Sequence, residues 1–149
     1  MNPGGSPKDR VALAILDSLG SAPVDTVYEG TSGSTGISLT MIASAKGYKS
    51  HILLPEDSAI EKVELLQKLG AIVERVKPAS IVDKGQFVNL ARRRAEERGG
   101  VFADQFENEE NWKCHASTTG PEIYRQCGGR LDAFVSGSGN YSDPEIRYL

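Results

Sequence analysis

Cysteine is scarce in this chain: two in 149 residues, Cys114 and Cys127. Neither lies in a pattern that reads as a secreted disulfide framework, so disulfide stapling is excluded as the basis of the fold. Histidine is as sparse, with His51 in an apolar strand and His115 in a helix. No Cys or His recurs at ligand spacing, which argues against a zinc site. No apolar run reaches the roughly twenty residues that cross a bilayer. Charge of one sign is also lacking: the net charge is −3 with 25% of residues charged, which gives no basis for a nucleic-acid or membrane-surface partner. Arg92, Arg93, Arg94 and Arg98 are clustered, but Glu96 and Glu97 interrupt them, as on a solvated helix face with i,i+4 pairs. No Gly-x-Gly-x-x-Gly turn follows the first strand, which counts against a generic dinucleotide-binding domain. The start, Asn2-Pro3-Gly4-Gly5, is neither a secretory apolar stretch nor an Arg-rich transit peptide. Internal repeats and low-complexity segments are absent as well.

What is present is a regular alternation of strand and helix. A chain of 149 residues fits one domain with a real core. Val11, Leu13, Ala14, Ile15 and Leu16 give a helical apolar face over 9–19, ended by Gly20 and entered through Pro7. A short strand over 26–29 runs into a loop over 30–35, and a helix over 35–46 stops at Gly47. The near-continuous apolar strand 50–54 ends at Pro55, as expected for a parallel sheet covered on both faces. Ser58 and Glu61 have the spacing of a capping box for a helix reaching Leu69, and Gly70 leads into a strand over 71–76. A helix over 86–97, a strand over 101–103, helices over 109–119 and 121–127, and a last strand over 133–135 complete the expected order. This pattern predicts an α/β fold with a mostly parallel sheet and helices on both faces. Ligands in such sheets bind beyond the carboxyl ends of the strands, where 30–36 and 105–108 fall.

Two motifs carry the chemistry. The first is Asn2-Pro3-Gly4-Gly5-Ser6-Pro7-Lys8-Asp9-Arg10, which places a lysine at a helix start. The second, Glu29-Gly30-Thr31-Ser32-Gly33-Ser34-Thr35-Gly36, is a loop of backbone N–H donors and hydroxyls between a strand and a helix. An amine able to form a Schiff base beside an anion nest suits pyridoxal phosphate chemistry on an amino acid. The pair resembles the fold type II pyridoxal-phosphate enzymes, specifically the cysteine synthase and cystathionine β-synthase family. There the pattern reads Asn-Pro-x-x-Ser-x-Lys-Asp-Arg, then Thr-Ser-Gly-Asn-Thr-Gly. The resemblance runs from Asn2 to about Gly139 and includes Gly47-Tyr48-Lys49, Lys68-Leu69-Gly70-Ala71, Asp104-Gln105-Phe106-Glu107-Asn108 and Thr118-Thr119-Gly120-Pro121-Glu122.

The resemblance implies pyridoxal 5'-phosphate as cofactor, with Lys8 as its covalent anchor and the acid/base at the substrate α-carbon. It implies that Thr31, Ser32, Gly33, Thr35 and Gln105 bind the substrate carboxylate. Ser34 would face the cofactor's 3′-oxygen, at a position where the family usually carries asparagine. Gly137, Ser138 and Gly139 would begin the phosphate loop. That loop departs from the family's Gly-Thr-Gly-Gly-Thr: here Ser136-Gly137-Ser138-Gly139 gives way to Asn140-Tyr141-Ser142-Asp143-Pro144, and Asp143 and Glu145 would repel a phosphate nearby. The expected domains are 1–25, the lysine segment and helix of the family's large domain; 26–105, the small α/β domain; 106–139, the return to the large domain; and 140–149, a divergent tail. The chain is expected to be truncated at both ends relative to the family.

The implied activity is β-replacement, O-acetylserine plus sulfide giving cysteine and acetate, with cystathionine β-synthase or desulfhydrase chemistry open within the class. Threonine and serine dehydratases fit less well, because they favour Ser-x-Gly-Asn-His at the loop. The alternative is a non-catalytic chain that keeps the fold and associates with a full-length homologue. The implied partners are a small amino-acid substrate and, by family habit, a second copy. Both cytoplasmic and mitochondrial locations remain open.

Overall fold

A computed structural model describes residues 2–135 of the chain. The strands are β1 (Thr26–Gly30), β2 (Lys49–Pro55), β3 (Ile72–Val76) and β4 (Val101–Phe102). They form one parallel sheet in the order β3-β2-β1-β4. The helices are α1 (Lys8–Ser18), α2 (Ser34–Ala45), α3 (Ile60–Lys68), α4 (Phe87–Arg98), α5 (Glu110–Cys114) and α6 (Gly120–Gln126). A π-helical turn, His115–Thr119, joins the last two.

Side chains alternate across the sheet with the period of two that a strand imposes. Ile52 and Leu54 of β2 belong to the main core with Val11, Ile15 and Leu16 of α1, Leu39 of α2 and Leu66 of α3. Leu53 between them faces Leu90 and Ala91 of α4. Helices therefore cover both faces, which is why β2 reads as an unbroken apolar run. Burying a leucine or isoleucine of this kind contributes about 1.5–3 kcal/mol. Gly30 ends β1 where α4 crosses closest: a Cβ there would lie 2.5 Å from Val88 Cα and 2.8 Å from the Phe87 carbonyl oxygen.

Three local expectations change. Ser58 does not cap α3: the helix starts at Ile60 after Ala59 in an extended conformation, with no side-chain cap. The Ser58 hydroxyl is buried without a hydrogen-bond partner among the described residues. The segment expected as one helix over 109–119 is α5 followed by the π-helical turn, and the helix expected over 121–127 is α6, whose first turn holds Pro121. Residues 133–135 form no strand, and Val135 is 94% exposed, with no described strand beside it to complete a ladder. The expected phosphate-loop residues Gly137, Ser138 and Gly139 lie outside the described residues.

Candidate active site

The starts of α1 and α2 pack together, with Asp9 in the first turn of α1 bonded to Ser38, one turn into α2. Gly33, in extended conformation, leads into α2, and Ser34 is its first residue. The N–H groups of Ser34, Thr35 and Gly36 occupy the helix turn that has no intrahelical acceptor, where the macrodipole favours an anion. The Thr31 N–H donates to the Leu53 carbonyl at 2.9 Å, carrying the β1–β2 ladder into the loop. The Thr31 hydroxyl accepts from the Gly33 N–H at 3.2 Å, which sets the turn. Ser32 is exposed at the loop tip, Ser34 half-buried, and Thr35 buried. Lys62 of α3 donates to the Ser32 carbonyl at 2.9 Å and ties the tip to its neighbouring helix.

Lys8 opens α1 and is half-buried. The two residues after it fasten it in place. Asp9, 6% exposed, accepts from the Gly4 N–H at 2.6 Å and from the Ser38 hydroxyl of α2 at 2.6 Å. Arg10 donates to the Thr118 and Thr119 hydroxyls, each at 3.3 Å, and to Glu122 at 2.6 Å. The Lys-Asp-Arg motif and the Thr-Thr-Gly-Pro-Glu motif, more than a hundred residues apart, thus form one contact. The wide π-helical turn carries both threonines to that guanidinium, and such turns recur at functional sites. Lys8 also lies near enough to Cys114 to oppose, electrostatically, the rise that burial imposes on that thiol, which still stands at about 11.

Gln105 follows Asp104, whose φ of 53° is left-handed for a residue that is not glycine. Backbone strain of this kind collects at functional sites. The Gln105 Oε1 accepts from the Thr35 hydroxyl at 2.5 Å, and its Nε2 donates to Glu29 at 3.2 Å. Its backbone N–H donates to Glu29 at 3.4 Å, and its carbonyl accepts from Asn111 at 2.6 Å. Glu29 is fully buried, and burial raises its carboxyl to about 8 against the opposing effect of bonds from Gln105 and Asp104.

The structure therefore brings Thr31, Ser32, Gly33, Ser34, Thr35 and Gln105 to one loop region, with Lys8 joined to it through Asp9 and Ser38. The sequence reading missed Glu29, Asn111 and the two clamps beside Lys8. A charged residue inside an otherwise buried strand was the available signal for Glu29. Among the described residues no group of three His, Cys, Asp or Glu side chains is placed to hold a metal ion, and no helix is long and apolar enough to cross a membrane.

A parallel sheet with a lysine-opened helix beside a hydroxyl-rich helix start defines a class, and the sequence comparison agrees with it. The profile of the pyridoxal-phosphate dependent enzymes matches residues 1–142, so the chain belongs to that family. Within it, the chain is 57% identical over 150 residues to cysteine synthase 2 of Neurospora crassa, covering 91% of this chain and 33% of that protein. It is 54% identical over 159 residues to cysteine synthase 2 of Emericella nidulans, covering 91% and 37%. The chain thus spans about a third of the length of these relatives. Among solved structures, O-ureido-L-serine synthase superposes with a TM-score of 0.88 at 34% identity, over 97% of this chain and 47% of that one. A hydrogen sulfide-producing enzyme from Fusobacterium nucleatum superposes with a TM-score of 0.82 at 29% identity, over 99% and 51%.

Proposed function

We propose that this chain carries the lysine segment and the substrate loop of a cysteine synthase-like enzyme that performs β-replacement on an activated serine. The observation that carries the reading is the Asp9–Ser38 bond, which draws the helix start bearing Lys8 against the helix start bearing the loop. The donor set fits the cofactor: a primary amine on one helix start, and hydroxyls with N–H groups on another. Apart from its chain neighbours, a Cβ at Gly33 would meet nothing nearer than the Thr31 hydroxyl at 4.0 Å, so the turn is open on that side.

In this reading Lys8 Nζ would hold pyridoxal phosphate covalently, and, once the substrate's amino group had displaced it from the cofactor's carbonyl carbon, the freed amine would take the proton from the substrate α-carbon. Bound there, the cofactor supplies an electron sink for charge at that carbon. The first-turn N–H groups of α2, that of Thr35 among them, and the hydroxyls of Thr31 and Ser32 would bind the substrate carboxylate, while the Thr35 hydroxyl and Gln105, bonded to each other, back the site. Ser34 offers one hydroxyl to the cofactor ring oxygen, a shorter reach than the family's asparagine. Gly137, Ser138 and Gly139 would contribute to the phosphate site. Residues 26–105 act as the small domain; 1–25 and 106–139 are the flanking pieces. The substrates of the whole enzyme would be O-acetylserine and sulfide, the usual pair of the cysteine synthases.

Borohydride trapping of pyridoxal phosphate followed by peptide mapping tests this. The pyridoxyl group is expected on Lys8; label on Lys46 or Lys49 with Lys8 unmodified would overturn it.

A second reading is a non-catalytic chain that docks on a full-length relative. Exposed apolar residues favour it: Leu13 is 46% exposed, Phe134 44% and Val135 94%. Co-elution with a full-length cysteine synthase, without gain of cofactor by this chain, would select that reading.

A further inference from the structure

We propose that Glu29 is a positioning residue for the loop site: from the end of β1 it fixes the orientation of the Gln105 amide, and through it the Thr35 hydroxyl and the first turn of α2. The proposal rests on the reading of 31–36 as an anion-binding loop, and its test is separable from that reading.

A primary amide can lie in a site with either end inward, and only its partners decide which. For Gln105 the partners favour one sense, with the amide nitrogen towards Glu29. Glu29 has oxygen acceptors facing both the Gln105 Nε2 at 3.2 Å and the Gln105 backbone N–H at 3.4 Å. With the amide nitrogen held there, Oε1 must point away, and it accepts from the Thr35 hydroxyl at 2.5 Å. The Gln105 carbonyl is taken by Asn111 Nδ2 at 2.6 Å. All four polar groups of Gln105 are thereby engaged, and the residue is 4% exposed. Three segments converge on it: the end of β1 through Glu29, the start of α2 through Thr35, and α5 through Asn111. Asp104, whose backbone also bonds Glu29, is at the same time held to Arg92 of α4 at 2.9 Å. The hydrogen bonds of Glu29 to Gln105, and of Gln105 to Thr35, give it a path to the loop site.

Removing Glu29 takes the acceptor from two buried donors of Gln105. The amide then loses its fixed sense, and the Thr35 hydroxyl loses a constant acceptor. The direction of the first-turn N–H groups is set with that turn, so anion affinity should fall while the sheet persists. Glu29→Gln keeps one carbonyl acceptor and puts an NH₂ donor where the carboxyl has its second oxygen, an acceptor when ionised and a hydroxyl when neutral. It keeps the bond to Gln105 Nε2 and sets a donor against the Gln105 backbone N–H, so it should fall between wild type and Glu29→Ala.

The test uses the whole chain, nitrogen-15 labelled, titrated with acetate as the carboxylate probe. In wild type the Gln105 side-chain NH₂ should exchange slowly with water, and the amides of 32–36 should shift on titration. In Glu29→Ala the NH₂ exchange should rise to that of the exposed glutamine Gln67, and acetate affinity at the loop should fall about tenfold, the loss of one charge-assisted bond. Glu29→Gln should lie between the two in both readouts, and it also serves if Glu29→Ala does not fold. Ile15→Ala, which opens a cavity in the main core, controls for lost stability and should leave both readouts as in wild type. Unchanged Gln105 exchange in the Glu29 variants, or loosened exchange with undiminished acetate affinity, would overturn the proposal. A wild-type loop that ignores acetate would sink the anion-loop reading and with it the effect on affinity; the Gln105 exchange would still decide whether Glu29 sets the amide.

Discussion

Glu29 shows how a single residue couples charge to folding. Burial raises its carboxyl from an ordinary 4.5 to about 8, so the folded chain prefers the neutral form. Stability from this group is complete below about pH 4.5, where folded and unfolded chains are both protonated. It is lost as pH rises towards 8, because only the unfolded chain gives up its proton cheaply. Denaturant midpoints should therefore fall between pH 5 and pH 8 in wild type, and the fall should be smaller in Glu29→Gln. A wild-type profile that rises over this range would contradict the assignment. The thiols divide in the same physical terms. Cys114 is buried with its thiol pushed up to about 11, whereas Cys127 is exposed. A thiolate reagent at neutral pH should label one cysteine in the native chain, Cys127, and two after unfolding.

Among elements, the contacts that hold α1 and α4 are the ones most open to test. Asp9→Asn weakens the bonds to the Gly4 N–H and the Ser38 hydroxyl, both inside a site only 6% exposed. Charge-assisted bonds of this kind contribute about 1.5–3 kcal/mol each. A drop of about 1–3 kcal/mol in unfolding free energy is expected, and with it slower labelling of Lys8 by pyridoxal phosphate. If Lys8 labelling is unchanged, Asp9 is not what presents the lysine. Gly30→Ala drives a Cβ to within 2.5 Å of the α4 backbone, and backbone cannot rotate aside. Overpacking of that sort costs about 1–3 kcal/mol; urea denaturation should read it as a lower midpoint with an unchanged slope. The sequence showed α4 as a helix but gave no sign that its first turn sits on Gly30, because that approach joins residues nearly sixty positions apart.

For the whole molecule the comparisons frame one expectation. More than half of the O-ureido-L-serine synthase chain has no counterpart in this one. Ser34 replaces an amide by a hydroxyl, and the residues after Gly139 depart from the family's phosphate loop. With these positions at the cofactor, as proposed above, each change would remove donors from it. Alone, the chain is expected to bind pyridoxal phosphate weakly and to form little cysteine from O-acetylserine and sulfide. Micromolar affinity measured by cofactor absorbance, with robust cysteine production, would refute this.

The sequence by itself determined the alternation of elements, the parallel sheet and the two motifs. These are written in local periods and short spacings: apolar runs bounded by Gly and Pro, a lysine at a helix start, a hydroxyl loop after a strand. It misjudged what depends on neighbours. Ser58 has the spacing of a cap, but α3 begins after it in another direction. The segment over 133–135 has strand composition, yet no described strand lies beside it. Only the tertiary structure decided that Asp9 reaches Ser38, that Arg10 meets Thr118, Thr119 and Glu122, and that Glu29 holds Gln105. Those bonds span 29 to 112 residues of chain. A hydrogen bond between side chains leaves no periodic trace in sequence; it exists only once the packing of the sheet and helices has set the distance.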